Sequence, residues 1–218
     1  MKIGIIGAGH IGGNLTRRFT ALGHDVSVAN SRGPQTLAAL AGETGAHAVT
    51  VADATRDKDV VIVTIPEKSI PKLPKDLFAN AAKNTVVVDT GNYYPQRDGR
   101  IDAIEKGTTE SRWVSQQLGR PVVKAFNTIY AQHLLDHGRP AGTPGRIALP
   151  VAGDDASAKA VVMRLIDELG FDAVDTGTLD ESWRQQPGTP VYGASLDATG
   201  VRRALAEASP ERKAEFRG

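Results

Sequence analysis

Short apolar runs alternate with amphipathic stretches along most of the chain. The run before Gly7, Ile3 to Ile6, reads as a buried strand, and residues 13–19 place Leu15 and Phe19 on one face of a helix. Asp25 to Ala29 follows as a second strand, so the first thirty residues have the order of a βαβ unit. Further on, Leu37 to Ala41 predicts a small helix and Ala46 to Val51 a short strand. Asp59 to Ile65 is strongly β-branched with no charge inside, the pattern of a central parallel strand, and Pro66 stops it. Leu77 to Ala82 predicts a helix, and Thr85 to Asp89, Pro121 to Phe126, Ile147 to Gly153 and Phe171 to Asp175 predict four more strands. The helix between the last two, Ala156 to Leu169, has Asp154 or Asp155 as its cap, an apolar face of Val162, Leu165, Ile166 and Leu169, and Gly170 at its end.

This alternation predicts an α/β fold, a doubly wound parallel sheet of the Rossmann type. The expected division is a dinucleotide-binding domain over residues 1–178 and a short irregular and helical extension over 179–218. The extension is polar, aromatic and rich in proline and glycine from Leu179 to Gly193, without helix or strand period. A short helix spans about Asp197 to Ala208, and Pro210 to Gly218 is expected to fray. An irregular stretch of this length reads either as a binding wall or as a surface strap packed by Trp183 and Tyr192.

Composition narrows the classes. The 218 residues carry 26 basic and 25 acidic side chains, a net charge of +1, which gives no reason to expect a nucleic-acid or membrane-surface partner. The absence of cysteine removes disulfides, thiolate metal sites and a cysteine nucleophile. His133 and His137 read as favourable charge at a helix end rather than as ligands, so no metal site is expected. No signal peptide or membrane-spanning apolar stretch is visible, and a cytoplasmic protein is expected.

The first strand breaks into Gly7-Ala8-Gly9-His10-Ile11-Gly12, a G-x-G-x-x-G spacing between strand and helix. Gly7 permits the tight turn, Gly9 lets a pyrophosphate approach the backbone, and Gly12 lets the helix pack close. The free N–H groups of the helix then face the phosphates. The second strand ends in Asn30-Ser31-Arg32, where an NAD site usually has a carboxylate for the ribose 2′-hydroxyl. A hydroxyl and a guanidinium in that place suit the 2′-phosphate of NADP.

Ligands of open parallel sheets bind outside the carboxyl ends of the strands. Thr64-Ile65-Pro66, the segment Asp89 to Pro95, and Asn127-Thr128 with Ala125 before them therefore become candidate nicotinamide contacts. Asn92, Asn127 and Thr128 offer groups that fix a carboxamide or a substrate carbonyl, and Arg184 is a candidate acceptor contact from the extension. No proton-transfer set stands out. Hydride transfer to a flavin-like ring needs chiefly the orientation of two rings.

Gly7 to Gly12, Asn30-Ser31-Arg32, Thr64-Ile65-Pro66, Lys124-Ala125-Phe126-Asn127-Thr128-Ile129 and Gly153-Asp154-Asp155 together resemble the coenzyme F420-dependent NADP oxidoreductases over about residues 1–178. The resemblance implies NADPH held by the glycine loop with Ser31 and Arg32, a deazaflavin or flavin-type acceptor near Pro66 and Asn127-Thr128, and a homodimer. It departs after Thr178, where an apolar helical segment is replaced by the polar extension. The expected activity is an NADPH-dependent oxidoreductase. The alternatives are an NADP-dependent reductase of a small carbonyl or imine, and a non-catalytic NADP-binding redox sensor.

Overall fold

The structure, a computed structural model, describes residues 1–218. Its main sheet has six parallel strands in the order β3-β2-β1-β4-β5-β6. They are β1 (Lys2–Ile6), β2 (Asp25–Ala29), β3 (His47–Ala48), β4 (Val60–Val63), β5 (Val86–Asp89) and β6 (Val123–Lys124). Two more, β7 (Ala148–Val151) and β8 (Asp172–Asp175), pair with each other. The helices are α1 (His10–Ala21), α2 (Ala38–Thr44), α3 (Pro95–Asp98), α4 (Asp102–Glu105), α5 (Glu110–Leu118), α6 (Ala131–Asp136), α7 (Ala156–Glu168) and α8 (Ala198–Ala206).

The central strands are buried because every residue of β4 is apolar and none is more than 1% exposed. Two apolar clusters cover the sheet. One joins Leu15 and Phe19 of α1 to Val162, Leu165 and Ile166 of α7. The other joins Val61, Val63 and Val87 to Phe78, Tyr93 and Trp113. The strand order reverses between β1 and β4, and that switch point opens a crevice at the carboxyl ends.

The predicted fold class is correct, with local differences. The seventh and eighth strands do not extend the main sheet; a single antiparallel bridge between Lys124 and Ala152 joins them to its edge. The third strand shrinks to two residues. Leu77 to Ala82 is a series of turns, with Leu77 donating to Pro74 and Ala79 to Asp76. The Thr55 hydroxyl takes the Leu77 carbonyl that a helix would use, and Leu77 and Phe78 still bury.

α5 escapes the apolar period because its buried face includes Glu110 and Ser111. The stretch Leu179–Gln185 is a 3₁₀ helix, and its buried residues Leu179, Ser182 and Gln185 recur every third position rather than every 3.6. The terminal residues are tied down instead of frayed. Arg212 pairs with Glu110 at 2.7 Å, Gln96 bonds the Glu215 carbonyl, and Gly218 donates to Glu105. The apolar side of α8 is spent within the chain: Val201, Ala204 and Leu205 pack with Ala148 and Val174 of the small sheet. No helix is long and apolar enough to cross a membrane.

Candidate functional site

The glycine loop has two tight places and one open one. Gly7 lies at φ +111°, and a Cβ there would come 2.2 Å from the Thr64 carbonyl oxygen. A Cβ on Gly12 would meet the Gly7 carbonyl oxygen at 1.9 Å. These two contacts seat the start of α1 on the β1 turn and bring Thr64 and Ile65 beside it. Gly9, the residue before the helix, is exposed, and a Cβ built on it meets nothing within 4 Å. No side chain caps α1, and its first turn holds no acid. Its leading N–H groups therefore face open space, as a phosphate cradle requires. His10 is exposed and Ile11 half-buried at the rim.

At the end of β2, the Asn30 carboxamide accepts from the Arg32 backbone N–H at 2.9 Å and donates to Thr36 at 2.9 Å. This fixes the turn and leaves Ser31 and Arg32 exposed. No carboxylate replaces them at this edge of the cradle.

The far side of the crevice is built from β4, β5 and β6. Ile65 and Pro66 are half-buried after β4. After β6, Ala125 is buried and donates its N–H to the Asp89 carbonyl at 3.1 Å, whereupon Phe126 turns to φ +63°. This left-handed conformation is strained for an aromatic residue and is held by complete burial. It redirects the chain so that Asn127 leaves the sheet beside Asn92.

Asn127 Nδ2 donates to Asn92 Oδ1 at 3.0 Å and to the Gln185 carbonyl at 2.7 Å. Its Oδ1 accepts from Gln185 Nε2 at 3.0 Å, and Asn92 Nδ2 donates to the Asn127 carbonyl at 3.0 Å. Both Asn127 donors are thus used within the protein. Its part is to fix this corner, while Asn92 retains one N–H and Thr128 its hydroxyl for a ligand. Gln185, fully buried, was not singled out by sequence, because the partner that explains it lies 58 residues away.

The expected acceptor wall divides. Tyr192 reaches the crevice side, where its hydroxyl contacts that of Tyr94, and Gly193 donates to the Thr128 carbonyl at 2.9 Å. Burial and the neighbouring Tyr192 push the Tyr94 phenol up. Arg184 does not join them. Its guanidinium donates to Glu181 at 2.7 Å and to the Leu205 carbonyl at 3.2 Å, and lies 4.4 Å from the centre of the Trp183 ring. Trp183 lines a different cavity of about 400 Å³ with Ile104, Thr109, Gln186 and Arg212, and no predicted cofactor residue borders it. Arg184 and Trp183 are thus placed as a packing strap would place them.

Beneath the crevice lies a cluster that sequence reasoning missed. Lys124, the last residue of β6, is fully buried. Its Nζ donates to the Gly91 carbonyl at 2.5 Å and to Asp89 Oδ2 at 3.2 Å. Ser111 Oγ donates to the same Asp89 oxygen at 2.6 Å, and the Gly91 N–H to Asp89 Oδ1 at 2.8 Å. Burial opposes the ammonium, yet Asp89, Glu110 and Glu67 outweigh it and hold Lys124 above its usual value. Glu67 is fully buried, and neither of its carboxyl oxygens has a partner. Burial, reinforced by Asp89, pushes it well up; burial also raises Glu110, against Lys124 and Arg212.

The raised Glu67 fixes the sign of a pH effect. An unfolded glutamate loses its proton near 4.5, whereas the folded one retains it to higher pH. Its contribution is therefore complete below about pH 4.5 and is lost as pH rises through the folded value. Glu67→Gln should melt within about 2 °C of the parent near pH 4 and higher than the parent at pH 8 by at least about 2–4 °C, the shift that about 1 kcal/mol produces in a chain of this size. Thermal melts across that range check it; equal melting temperatures at pH 8 contradict it.

Comparison with known proteins agrees with the fold. Residues 2–93 match the family model described as NADP oxidoreductase, coenzyme F420-dependent. The chain is similar to a hypothetical protein, SMa0349, of Sinorhizobium meliloti, at 35% identity over 90% of this chain and 95% of that one, with a TM-score of 0.75. It is also similar to a protein of Arthrobacter sp. FB24 described as a putative F420-dependent NADP reductase, at 26% identity over 82% of this chain and 85% of that one, with a TM-score of 0.65. A stretch of 73 residues is 49% identical to the protein YjhV of Escherichia coli (strain K12); it makes up 33% of this chain and spans about half, 53%, of that protein.

Proposed function

We propose, from the premise that the chain belongs to the family of NADP oxidoreductases described as coenzyme F420-dependent, that it transfers hydride between NADP(H) and a deazaflavin or flavin-type acceptor. The observation that carries the cofactor reading is the open, uncapped start of α1 at Gly9. The residues present fit the dinucleotide. Gly7 to Gly12 receive the pyrophosphate, Asn30 holds the turn that presents Ser31 and Arg32 to the 2′-phosphate, and Thr64, Ile65 and Pro66 face the nicotinamide end. When bound, NADPH supplies the hydride.

The chain's own part is orientation. Phe126 and the Asn92–Asn127–Gln185 amides hold the β6 exit rigid, Ala125 ties it to β5, and Asn92 and Thr128 offer polar groups to the bound rings. The carboxyls and the ammonium nearest this edge, Glu67, Asp89 and Lys124, are buried under the loop, which favours ring-to-ring hydride transfer over protonation of an alkoxide. The Tyr94–Tyr192 hydroxyl pair supports a second reading, a carbonyl or imine reductase with a phenol as proton donor. The homodimer implied by the resemblance requires a surface other than the apolar side of α8.

Removing the 2′-phosphate contact tests the cofactor assignment. A charge-assisted contact of this kind contributes about 1.5–3 kcal/mol. Arg32→Ala should weaken NADPH binding roughly tenfold or more and leave NADH nearly unchanged. Equal affinities of the parent protein for NADH and NADPH in calorimetry would sink the NADP preference.

A further inference from the structure

Glu67, Asp89, Glu110 and Lys124 are each no more than 1% exposed. They meet under the carboxyl ends of β4, β5 and β6. Gly91 marks the centre, since a Cβ there would lie 2.5 Å from Glu67 Oε1 and 3.0 Å from Asp89 Oδ1. The three carboxyls are opposed by two cations, Lys124 on Asp89 and Arg212 on Glu110. Asp98, which also faces Glu67, is paired with Arg97 at 2.7 Å and adds no net charge. With every group ionised, the cluster carries one excess negative charge.

That excess falls on Glu67. Asp89 has Lys124, Ser111 and the Gly91 N–H, and Glu110 has Arg212, but Glu67 has no donor at either oxygen. A buried carboxylate without a donor is costly, whereas its protonated form carries no net charge. One proton on Glu67 brings the whole cluster to neutrality. Glu67 follows Pro66 directly in sequence, so this proton is stored next to the wall assigned to the nicotinamide.

We propose that Glu67 keeps its proton when the neutral ring of NADPH is bound and releases it when the cationic ring of NADP⁺ is bound, so that one buried proton follows the redox state of the cofactor. This rests on the NADP(H) reading given above. A positive charge held near a low-dielectric cluster favours its anionic form. Lys124 and Arg97 already bias Glu67 in that direction, and Asp89, Glu110 and Asp98 bias it against. The added ring charge acts in the same direction as Lys124 and Arg97. By linkage, NADP⁺ gains affinity relative to NADPH as pH rises.

The test is calorimetric titration of the native protein with NADP⁺ and with NADPH, each in buffers of different ionisation enthalpy. The 2′-phosphate, whose second proton leaves near pH 6, titrates in both complexes and cancels in the difference. Expected is the release of close to one proton more for NADP⁺ than for NADPH, with the ratio of dissociation constants changing up to about tenfold per pH unit. Glu67→Gln, which mimics the neutral acid in shape, should bind both and lose the difference. Should that variant not fold, the infrared difference spectrum between the two complexes of the native protein gives the same answer, as loss of a protonated-carboxyl band with NADP⁺. Equal proton release for the two dinucleotides overturns the proposal alone. Failure to bind either one overturns the cofactor reading and this proposal with it.

Discussion

Gly9→Val abolishes NADPH binding and leaves the fold intact. The backbone at Gly9 has φ −74° and ψ −162°, an extended conformation with negative φ and so not one that requires glycine. The space a Cβ would enter is empty of protein atoms. An exposed substitution of this kind changes stability by about 0.5 kcal/mol or less, roughly 1–2 °C in melting temperature. The same space is where a pyrophosphate must approach the first N–H groups of α1. Loss of two charge-assisted contacts of about 1.5–3 kcal/mol each weakens binding roughly 10²- to 10⁴-fold. The neighbouring glycines are the controls. Gly12→Ala drives a Cβ to 1.9 Å from the Gly7 carbonyl oxygen, so that variant loses stability as well. Calorimetry and thermal melts on the pair separate the two kinds of glycine. A Gly9→Val protein that binds NADPH like the parent would place the phosphate site elsewhere.

Lys124→Met produces the largest loss of stability expected from any single substitution considered. The side chain is fully buried between the Gly91 carbonyl and Asp89, with Glu67 and Glu110 close enough to add to its field. Methionine fills similar volume, so packing is nearly conserved while the charge disappears. Removing one partner of a buried pair leaves the other uncompensated and costs about 3–5 kcal/mol. For a chain of this size that lowers the melting temperature by roughly 6–20 °C. The deficit should shrink in acid, as the stranded carboxyls take up protons. Adding Asp89→Asn to Lys124→Met should recover part of it, since the pair is then removed as a unit. A single variant with the parent melting temperature at pH 7 would contradict the pairing.

The glycine turn and the end of β2, which the proposal assigns to the dinucleotide, are legible in sequence because their logic is local. Gly7, Gly9 and Gly12 act within one strand-to-helix turn, and Asn30 to Arg32 within one strand end, so spacing alone specifies them. The rest of the candidate site depends on partners far apart in the chain. Lys124 and Asp89 are separated by 35 residues, and nothing in a two-residue strand tells which way its lysine points. Glu110 and Ser111 turn charge and hydroxyl inward on α5 and so erase the apolar stripe by which that helix would be recognised. Gln185 is hidden by a period of three in place of 3.6. Arg184, attractive as a cation in a loop-like stretch, is committed to Glu181 and the end of α8. In each case the chemistry belongs to a tertiary contact and not to a pattern.

The most direct test of the central claim is hydride transfer itself. The protein is mixed anaerobically with NADPH carrying deuterium at the transferable position and, in separate runs, with coenzyme F420, FMN, FAD and a panel of carbonyl and imine acceptors. The account predicts loss of NADPH absorbance matched by equimolar reduction of a deazaflavin or flavin, deuterium recovered on the reduced ring, and far slower reaction with NADH. Binding of NADPH without oxidation by any acceptor, or turnover with carbonyls or imines alone, would contradict it.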